Sequence, residues 1–342
     1  MSAKVGTTVD MKDVHQTGDV PAMSIVVAID TYRSRAARCL RSLLLQRGIE
    51  RCEIIVLDAG HANFPPIDGS DHAVVRVVPL PRGLSYGAAL AFGVERARAP
   101  IVAFIEEHVV AMPGWAEAVL EAHTSGRGAV VGSEMIFDNP GRGASDLVDL
   151  LSVGPWTAPA VPGEVTSVRW QNVSYSRKAL DSVGDQLSRY LDAEGVFFAR
   201  LRADGHRLWM EPAAKLRHAN DQAFGSFLFG AFHANRLLAA RRAELQQFSP
   251  ARRVLYAGVA IVNIFRTPGH IRRVLSRSPE FQRHRQFARA HRPHIAIYAC
   301  AFSLGACTGF LIGPGDSGRR FLEHYELNSV RDIRGYEYFP GA

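Results

Sequence analysis

Cysteine is scarce in this chain, and no cysteine pair has the spacing of a redox or metal motif. The four cysteines among 342 residues lie at positions 39, 52, 300 and 307. A zinc site or a thiol oxidoreductase would need a Cys-x-x-Cys pair, and a disulfide-stapled secreted domain would be richer in cysteine. We therefore expect reduced thiols that pack in the interior of a protein from a reducing compartment.

The N-terminus lacks an apolar run of the kind found in secretory signals. Residues 1–22 are polar, and no hydrophobic stretch follows their few basic residues. This pattern predicts a flexible tail over 1–22 and a cytoplasmic location for the bulk of the chain.

Acidic residues are nearly missing from one stretch of an otherwise balanced sequence. The formal net charge is +7, but the stretch from Arg236 to Arg292 holds thirteen arginines against Glu244 and Glu280. Such local basicity indicates contact with an anionic surface. We disfavour nucleic acid as that partner, since no helix-turn-helix or RNA-recognition signature is present and the basic residues are not interleaved with stacking aromatics.

Short apolar runs predict four buried strands in the first third of the chain. They lie at 24–29, 53–60, 74–80 and 101–107. Helix-period stretches connect them, so we expect an α/β fold with a mostly parallel sheet and helices on both faces. Ligands of such sheets bind beyond the carboxyl ends of the strands. Asp58 and the cluster Glu106, Glu107 and His108 follow strands, so they should share one rim.

The middle of the chain is less regular. Residues 138–166 are rich in glycine and proline, which predicts a long loop with one embedded helix and a possible role as a lid. Residues 166–176 have the composition of a strand. Residues 191–204 show helical spacing, and 206–218 should form a strand pair that ends at His218.

Five short motifs follow one another in a familiar order: EIIVLD, RGLSYGAALAFGVERA, IVAFIEEH with MPGW, RWQNVSYSRKALDSVG and LDAEGVFFARLRADGHRLWMEPAAKLRH. Together they resemble the inverting family 2 glycosyltransferases with a GT-A fold. The resemblance covers roughly Met23 to Asn220. It implies a GT-A domain over 23–220, followed by a basic, partly apolar helical region over 221–342.

The resemblance implies the transfer of a sugar from a nucleotide-diphosphate sugar to a hydroxyl acceptor, with inversion and with a divalent cation, Mn²⁺ or Mg²⁺. Glu106, His108 and His218 would hold the ion. Consecutive side chains alternate in direction, so only two of residues 106–108 should face it. Glu194 would be the general base, with Asp192 as the fallback.

The remaining family positions imply contacts with the donor and the acceptor. The residues expected to bind the nucleotide sugar are Asp30, Thr31, Asp58, Arg82, Gly83, Gly87, Glu106 and Glu107. Gly87 could instead serve tight helix packing. Trp170 and Asn172 would line the acceptor site.

Two departures from the family pattern leave alternatives open. Glu-Glu-His stands where Asp-x-Asp is usual, and Ala193-Glu194 replaces an acidic pair. A catalytically inactive binding or scaffold protein of glycan assembly is therefore the second interpretation. A nucleotidyltransferase ranks lower, because the segment after the first strand lacks the glycines of a phosphate loop.

The C-terminal third carries apolar stretches next to arginines. Residues 254–265 are too few to cross a hydrocarbon core of about 30 Å, but an interfacial helix suits them. Residues 294–313 contain no formal charge and could form a single span. We expect peripheral association with an anionic membrane surface at the inner face of the cell membrane, and a lipid-linked or surface-glycan acceptor. A soluble helical appendage is the alternative.

Overall fold

The computed structural model describes residues 20–137, 143–152, 156, 158–275 and 290–329. The predicted N-terminal tail lies outside this range except for its last three residues, and so do parts of the glycine- and proline-rich loop. The first half of the fold contains β1 Met23–Ile29, α1 Arg33–Leu44, β2 Cys52–Asp58, β3 Val75–Pro79, α2 Tyr86–Arg96, β4 Ile101–Glu106, β5 Val109–Ala111, α3 Trp115–Thr124, β6 Val130–Phe137 and α4 Gly143–Ser152.

Shorter elements and then long helices follow in the second half. They are β7 Gly163–Val165, β8 Val173–Ser176, α5 Arg177–Asp181, α6 Leu187–Leu191, α7 Glu194–Ala203, β9 Leu208–His218, α8 Phe224–Leu245, α9 Pro250–Leu275, α10 Arg292–Ile312, α11 Ser317–Arg320 and a π-helical turn Phe321–Glu326. The expected strand pair over 206–218 is one long strand, β9, with a register shift near its middle.

One mixed sheet of nine strands forms the centre of the described residues, in the order β3-β2-β1-β4-β8-β6-β9-β5, with β7 paired to β9. The four N-terminal strands are parallel. β8 runs antiparallel to both of its neighbours, whereas β6 and β9 are parallel. The expected α/β class is confirmed. The carboxyl ends of β1, β2 and β4 meet at one rim, because Ile29 pairs with Asp58 and Ala28 with Glu106.

Helices cover both faces of the sheet, as the continuous apolar strands predict. Alternate residues of β4 point to different cores. Val102 and Phe104 pack with residues of α2, α6 and α7, while Ala103 and Ile105 pack with residues of α1 and α3. This period-2 alternation decides where the polar residues at the end of β4 are directed.

The strand expected over 166–176 is only partly present. β8 begins at Val173, and the preceding residues leave the sheet. Asn172 has a φ of 54°, a left-handed conformation that asparagine tolerates better than most residues. Composition alone cannot show this bend. It carries Trp170 to the cavity described below and Asn172 to the end of β4.

The C-terminal region is helical, and α10 packs tightly on α8. A Cβ added at Gly305 or Gly309 would lie 2.2 Å from the carbonyl oxygens of Phe232 and Arg236, respectively. These glycines therefore allow the two backbones to approach closely. These small residues of α10 thus serve packing within the chain.

In the described part of the chain, α10 is the one helix that is long and apolar enough to cross a membrane by length and composition. A third of its most apolar window is buried within the protein. After α10 the chain returns to the sheet. Phe321, Leu322 and Leu327 join the same core as Tyr86 and Leu191. The predicted boundary at 220 stays a prediction, and residues on both sides of it share this core.

Candidate active site

A cavity of about 340 Å³ lies beside the carboxyl end of β4, the start of α7 and helices α8 and α10. Glu106, His108, Glu194 and His218 all line it. These side chains are buried although all four are ionisable groups in a largely apolar interior. Burying such groups is costly unless they are paired or bind a ligand, so their convergence marks a candidate functional site.

The strand alternation separates Glu106 from Glu107. Glu106 continues the face of Phe104 and lines the cavity. Glu107 instead accepts a hydrogen bond from Arg35 of α1, and both of these side chains are buried. An oxygen of Glu107 also lies 3.6 Å from Nδ1 of His108. Glu107 thus does not line the cavity, although the resemblance implied a nucleotide contact there.

His108 and His218 meet because β5 pairs with the end of β9. Val109 is in register with His218, which places the preceding residue, His108, next to it. Their Nε2 atoms are 3.1 Å apart. Glu106 lies 3.5 Å from Nε2 of His218 and 3.9 Å from Nε2 of His108. The three ligand atoms are all within 4.8 Å of one another.

This group fits a divalent cation. A separation near 3 Å between imidazole nitrogens is typical of two neighbouring ligands of one ion, since metal–nitrogen bonds are about 2.1 Å long. Two imidazoles and one carboxylate form a donor set suited to Mn²⁺ or Zn²⁺ more than to Ca²⁺. The outer nitrogen of His218 lies 3.2 Å from the fully buried Asp149, an arrangement that commonly orients a ligating histidine.

The charges around this group favour a cation. Burial alone would keep His218 neutral, but Asp149 and Glu106 raise its pKa to about 9. Burial likewise raises the pKa of Glu106, yet Arg169 and the two histidines outweigh it and hold that pKa below its usual range. The site thus stabilises positive charge beside Glu106, and a bound metal ion could replace the proton on His218.

Arg169 and Asn172 hold Glu106 in place. A terminal nitrogen of Arg169 lies 3.3 Å from each carboxylate oxygen of Glu106. The Asn172 side chain donates to that carboxylate and accepts from the backbone N–H of Glu106 at 2.9 Å. Asn172 therefore fixes the end of β4, whereas the sequence suggested an acceptor contact. Trp170 does line the cavity, stacked on Phe321 with ring centroids 5.3 Å apart.

Glu194 is the first residue of α7, and its side chain is only 3 % exposed. Its Oε1 accepts a hydrogen bond of 2.6 Å from the Tyr175 hydroxyl. Its Oε2 is buried and has no hydrogen-bond partner among the described residues. Burial raises the pKa of Glu194 well above its usual range, although Tyr175 and Arg169 oppose this shift. A carboxylate in this state is suited to accept a proton.

Asp192, the fallback base, lines the cavity, but both of its oxygens have partners. Oδ1 accepts from the backbone N–H of Gly87 at 2.8 Å, and Oδ2 accepts from Arg241 at 3.0 Å. A Cβ on Gly87 would lie 2.2 Å from the carbonyl oxygen of Ser188. Gly87 and Asp192 therefore join α2 to α6, which is the packing role left open for this glycine.

The other expected donor residues form a neighbouring group at the same rim. Asp30 accepts from Arg82 at 2.7 Å, and Asp58 accepts from Arg33 at 2.8 Å. Thr31 is exposed. Of the described residues that line the cavity, none belongs to this group. The expected single pocket is therefore divided into a rim and a cavity that meet near Glu106.

Residues 317–329, here called the C-terminal segment, lie against both parts. Glu323 accepts from the backbone N–H of Gly83 at 2.9 Å, and Asn328 donates to Asp30 at 3.0 Å. Glu326 accepts from Gln171 inside the cavity. Burial and the nearby Glu106 raise the pKa of Glu326 well above its usual range. Nothing in the local sequence of this segment signals these contacts.

Sequence reasoning also missed Tyr175, Asp149 and Arg169. Tyr175 lies within the motif RWQNVSYSRKALDSVG, but its role depends on a hydroxyl that points at Glu194 from a neighbouring element. Asp149 belongs to the polar face of the helix embedded in the loop. Asp149 is identified as a site residue only by its buried position next to His218, and the sequence alone does not show that position.

Part of the chain is similar in sequence to a known protein family. The model of glycosyl transferase family 2 matches residues 24–158, which is less than half of the chain. No curated protein matches the sequence. One similar solved structure is a crystal structure of GalNAc-T7 with UDP, GalNAc and Mn²⁺, at a TM-score of 0.42 and 11% identity. That match covers 58% of this chain and 43% of the GalNAc-T7 chain. The family match supports a glycosyltransferase domain over the parallel part of the sheet.

Proposed function

We propose that this protein is an inverting glycosyltransferase that moves a sugar from a nucleotide-diphosphate sugar to a hydroxyl acceptor. One observation carries the proposal. The buried carboxylate of Glu194, with one oxygen unpartnered among the described residues, shares a cavity with the group Glu106, His108 and His218. The family match over 24–158 supports a nucleotide sugar as the donor.

The chemistry follows from this arrangement. The acceptor oxygen forms a bond to the anomeric carbon while the bond from that carbon to the diphosphate breaks, and Glu194 takes the acceptor proton. A divalent cation held by Glu106, His108 and His218 would supply Lewis-acid stabilisation of the leaving diphosphate. Arg169 adds a fixed positive charge beside Glu106, where negative charge develops on the leaving group.

The nucleotide of the donor would bind at the rim of Asp30, Asp58 and Gly83. In the present structure the C-terminal segment uses the Gly83 N–H and Asp30 for its own hydrogen bonds. Donor binding would therefore have to displace Glu323 and Asn328. Both contacts are exposed or only partly buried, so each should cost little to break.

The same rim contacts favour a second candidate function, that of a binding or scaffold protein with this fold and without catalytic turnover. The two functions differ in one measurable respect. A scaffold would bind nucleotide diphosphates without releasing them from nucleotide sugars, while a transferase releases them in the presence of an acceptor.

A thermal-shift panel tests the donor and the metal together. Each nucleoside diphosphate is added with and without Mn²⁺, and a ligand that binds the native state raises the melting temperature. We expect at least one diphosphate to stabilise the protein only when Mn²⁺ is present. His218→Ala should remove this Mn²⁺-dependent part. Absence of any nucleotide effect in the wild-type protein would contradict the proposal.

We also propose that the protein attaches peripherally to an anionic membrane surface, at the cytoplasmic face. Large apolar side chains of α9 and α10 are exposed, including Leu255 at 64 %, Phe265 at 83 % and Ile312 at 75 %. Arg252 and Arg266 flank the apolar residues of α9 and are themselves exposed. Apolar side chains next to arginines suit the boundary between acyl chains and anionic head groups.

Vesicle flotation tests this attachment. The wild-type protein should float with vesicles that contain anionic phospholipid and much less with vesicles of phosphatidylcholine alone. Leu255→Asp combined with Phe265→Asp should abolish flotation, because charged side chains resist insertion. Gly258→Ala, at an exposed position of the same helix, is the matched control. Equal flotation of the double variant would reject this surface as the attachment site.

A further inference from the structure

The cavity has two chemically different ends. The polar end contains Glu106, His108, Glu194 and His218. The other end is bounded by Phe227, Ala231, Ala234 and Leu238 of α8 and by Tyr298 and Phe302 of α10. Apolar and aromatic groups of α8 and α10 thus line the same cavity as the candidate catalytic residues.

Helix geometry explains why these side chains converge. Positions 227, 231, 234 and 238 follow the three- and four-residue spacing of a single helical face. Tyr298 and Phe302 are four residues apart on α10, and Tyr298 stacks on Phe227 with ring centroids 5.1 Å apart. Asn235 also lines this region, but its side-chain amide donates to the carbonyl of Ala231 within α8.

Such a wall cannot recognise the hydroxyls of a sugar chain. A polar group moved there from water would lose its hydrogen bonds without replacement, whereas a hydrocarbon would gain free energy from burial. The donor side lies at the opposite, polar rim of Asp30 and Asp58. The apolar end therefore belongs to the acceptor.

The same helix separates this cavity from the exposed apolar surface. α10 directs Tyr298 and Phe302 into the cavity, while Ile297 and Leu304 are about half exposed, at 49 % each. A molecule that is partly dissolved in a bilayer would meet the protein on this side.

Resting on the proposed function, we infer that the acceptor is an amphiphile with a hydroxyl-bearing head group and an aliphatic chain. The hydroxyl lies at Glu194, and the chain occupies the apolar end between α8 and α10. A hydroxyl suits this site better than a phosphate head group. An anionic phosphate oxygen carries no proton to remove, so it would make no use of Glu194 as a base.

The transfer step balances without a further reactant. The hydroxyl oxygen forms a glycosidic bond to the anomeric carbon, and its proton passes to Glu194. The bond between the anomeric carbon and the diphosphate breaks, and its electron pair leaves with the nucleoside diphosphate.

Binding of n-alkyl β-glucosides tests the chain site independently of turnover. Glucosides with chains of four, eight and twelve carbons are titrated into the full-length protein by calorimetry, below their micelle concentrations. The wild-type affinity should increase roughly threefold to fourfold for each buried methylene until the apolar end is filled. An affinity that does not depend on chain length would overturn the inference.

Two variants locate the chain. Ala234→Phe fills the apolar end and should lower the affinity for the dodecyl glucoside at least tenfold. Gly225→Phe, at an exposed position of the same helix with no atom near its Cβ, should leave it unchanged. Leu238→Asn keeps the number and branching of the side-chain heavy atoms but makes them polar. It should weaken binding of the dodecyl but not the butyl glucoside, so it serves if Ala234→Phe fails to fold. Unchanged dodecyl binding in Leu238→Asn would place the chain on the outer surface and refute the inference.

The two proposals can fail separately. Chain-length-dependent binding without any turnover would support the amphiphile site and reject the transferase. Turnover of nucleotide sugar with acceptors of all chain lengths at equal efficiency would support the transferase and reject the amphiphile.

Discussion

Glu106 and Glu107 offer an unusually direct test, because adjacent and equally buried glutamates face opposite sides of the sheet. Glu107 pairs with the buried Arg35, whereas Glu106 belongs to the group with His108 and His218. The same substitution at the two positions should therefore have different consequences for metal binding.

The magnitudes follow from the burial of the pairs. Glu107→Gln removes the carboxylate charge that pairs with the buried Arg35, and breaking a buried ion pair costs about 3–5 kcal/mol of unfolding free energy. At roughly 2 °C per kcal/mol for a protein of this size, the melting temperature should fall by about 6–10 °C. Glu106→Gln removes one carboxylate charge from beside Arg169, but Glu326 and Asp149 also act on that guanidinium, so the loss of stability should be no larger than that of Glu107→Gln.

The response of the melting temperature to Mn²⁺ distinguishes Glu106→Gln from Glu107→Gln. An ion at about one hundred times its dissociation constant adds about 2.7 kcal/mol to the unfolding free energy, or roughly 5 °C. The wild-type protein should show this increase, measured by calorimetry in MnCl₂ against EDTA. Glu107→Gln should show most of it, because the amide keeps an oxygen that can face Nδ1 of His108. Glu106→Gln should show little or none of it. Equal responses of the two variants would refute the assignment of opposite directions to these side chains.

Three further substitutions test other parts of the site. Tyr175→Phe removes the hydroxyl that stabilises the Glu194 carboxylate, which raises the pKa of the base further. Because activity is lost as the pH falls through that pKa, the acidic limb of the kcat profile should move to higher pH, and an unmoved limb would contradict Glu194 as the base. Gly87→Ala should cost about 1–3 kcal/mol in urea unfolding, since the added Cβ has no room, while Gly258→Ala should not destabilise. Glu323→Ala frees a rim N–H and should lower the KM for the donor several-fold, and a raised KM would show that the carboxylate instead helps to bind the donor.

Local patterns predicted the parallel half of the fold well. The apolar runs correctly predicted β1, β2 and β4, because a strand buried on both faces has few alternatives. β3 is present too, but it is not the buried strand that was expected: it lies at the edge of the sheet, and its residues are half-buried or exposed. The alternation of side chains also predicted that only two residues of the 106–108 cluster face one site. Both predictions depend only on residues that are close in sequence, so a short segment contains all the information that they need.

The rest of the site depends on distant pairings. Asp149 meets His218 only because the fold brings α4 to the end of β9, and Tyr175 meets Glu194 only because β8 lies against α7. The bend before β8 needs a left-handed Asn172, which propensity does not reveal. Likewise, no local sequence pattern predicts that residues 317–329 return to the rim.

The release of nucleoside diphosphate tests the central claim most directly. Wild-type protein and Glu194→Gln are compared with the nucleotide sugar, Mn²⁺ and an alkyl glucoside acceptor, and donor binding is measured in parallel by thermal shift. We predict that Glu194→Gln binds the donor like the wild-type protein but releases the diphosphate about 10²–10⁴ times more slowly. Release by Glu194→Gln at the wild-type rate would contradict the account.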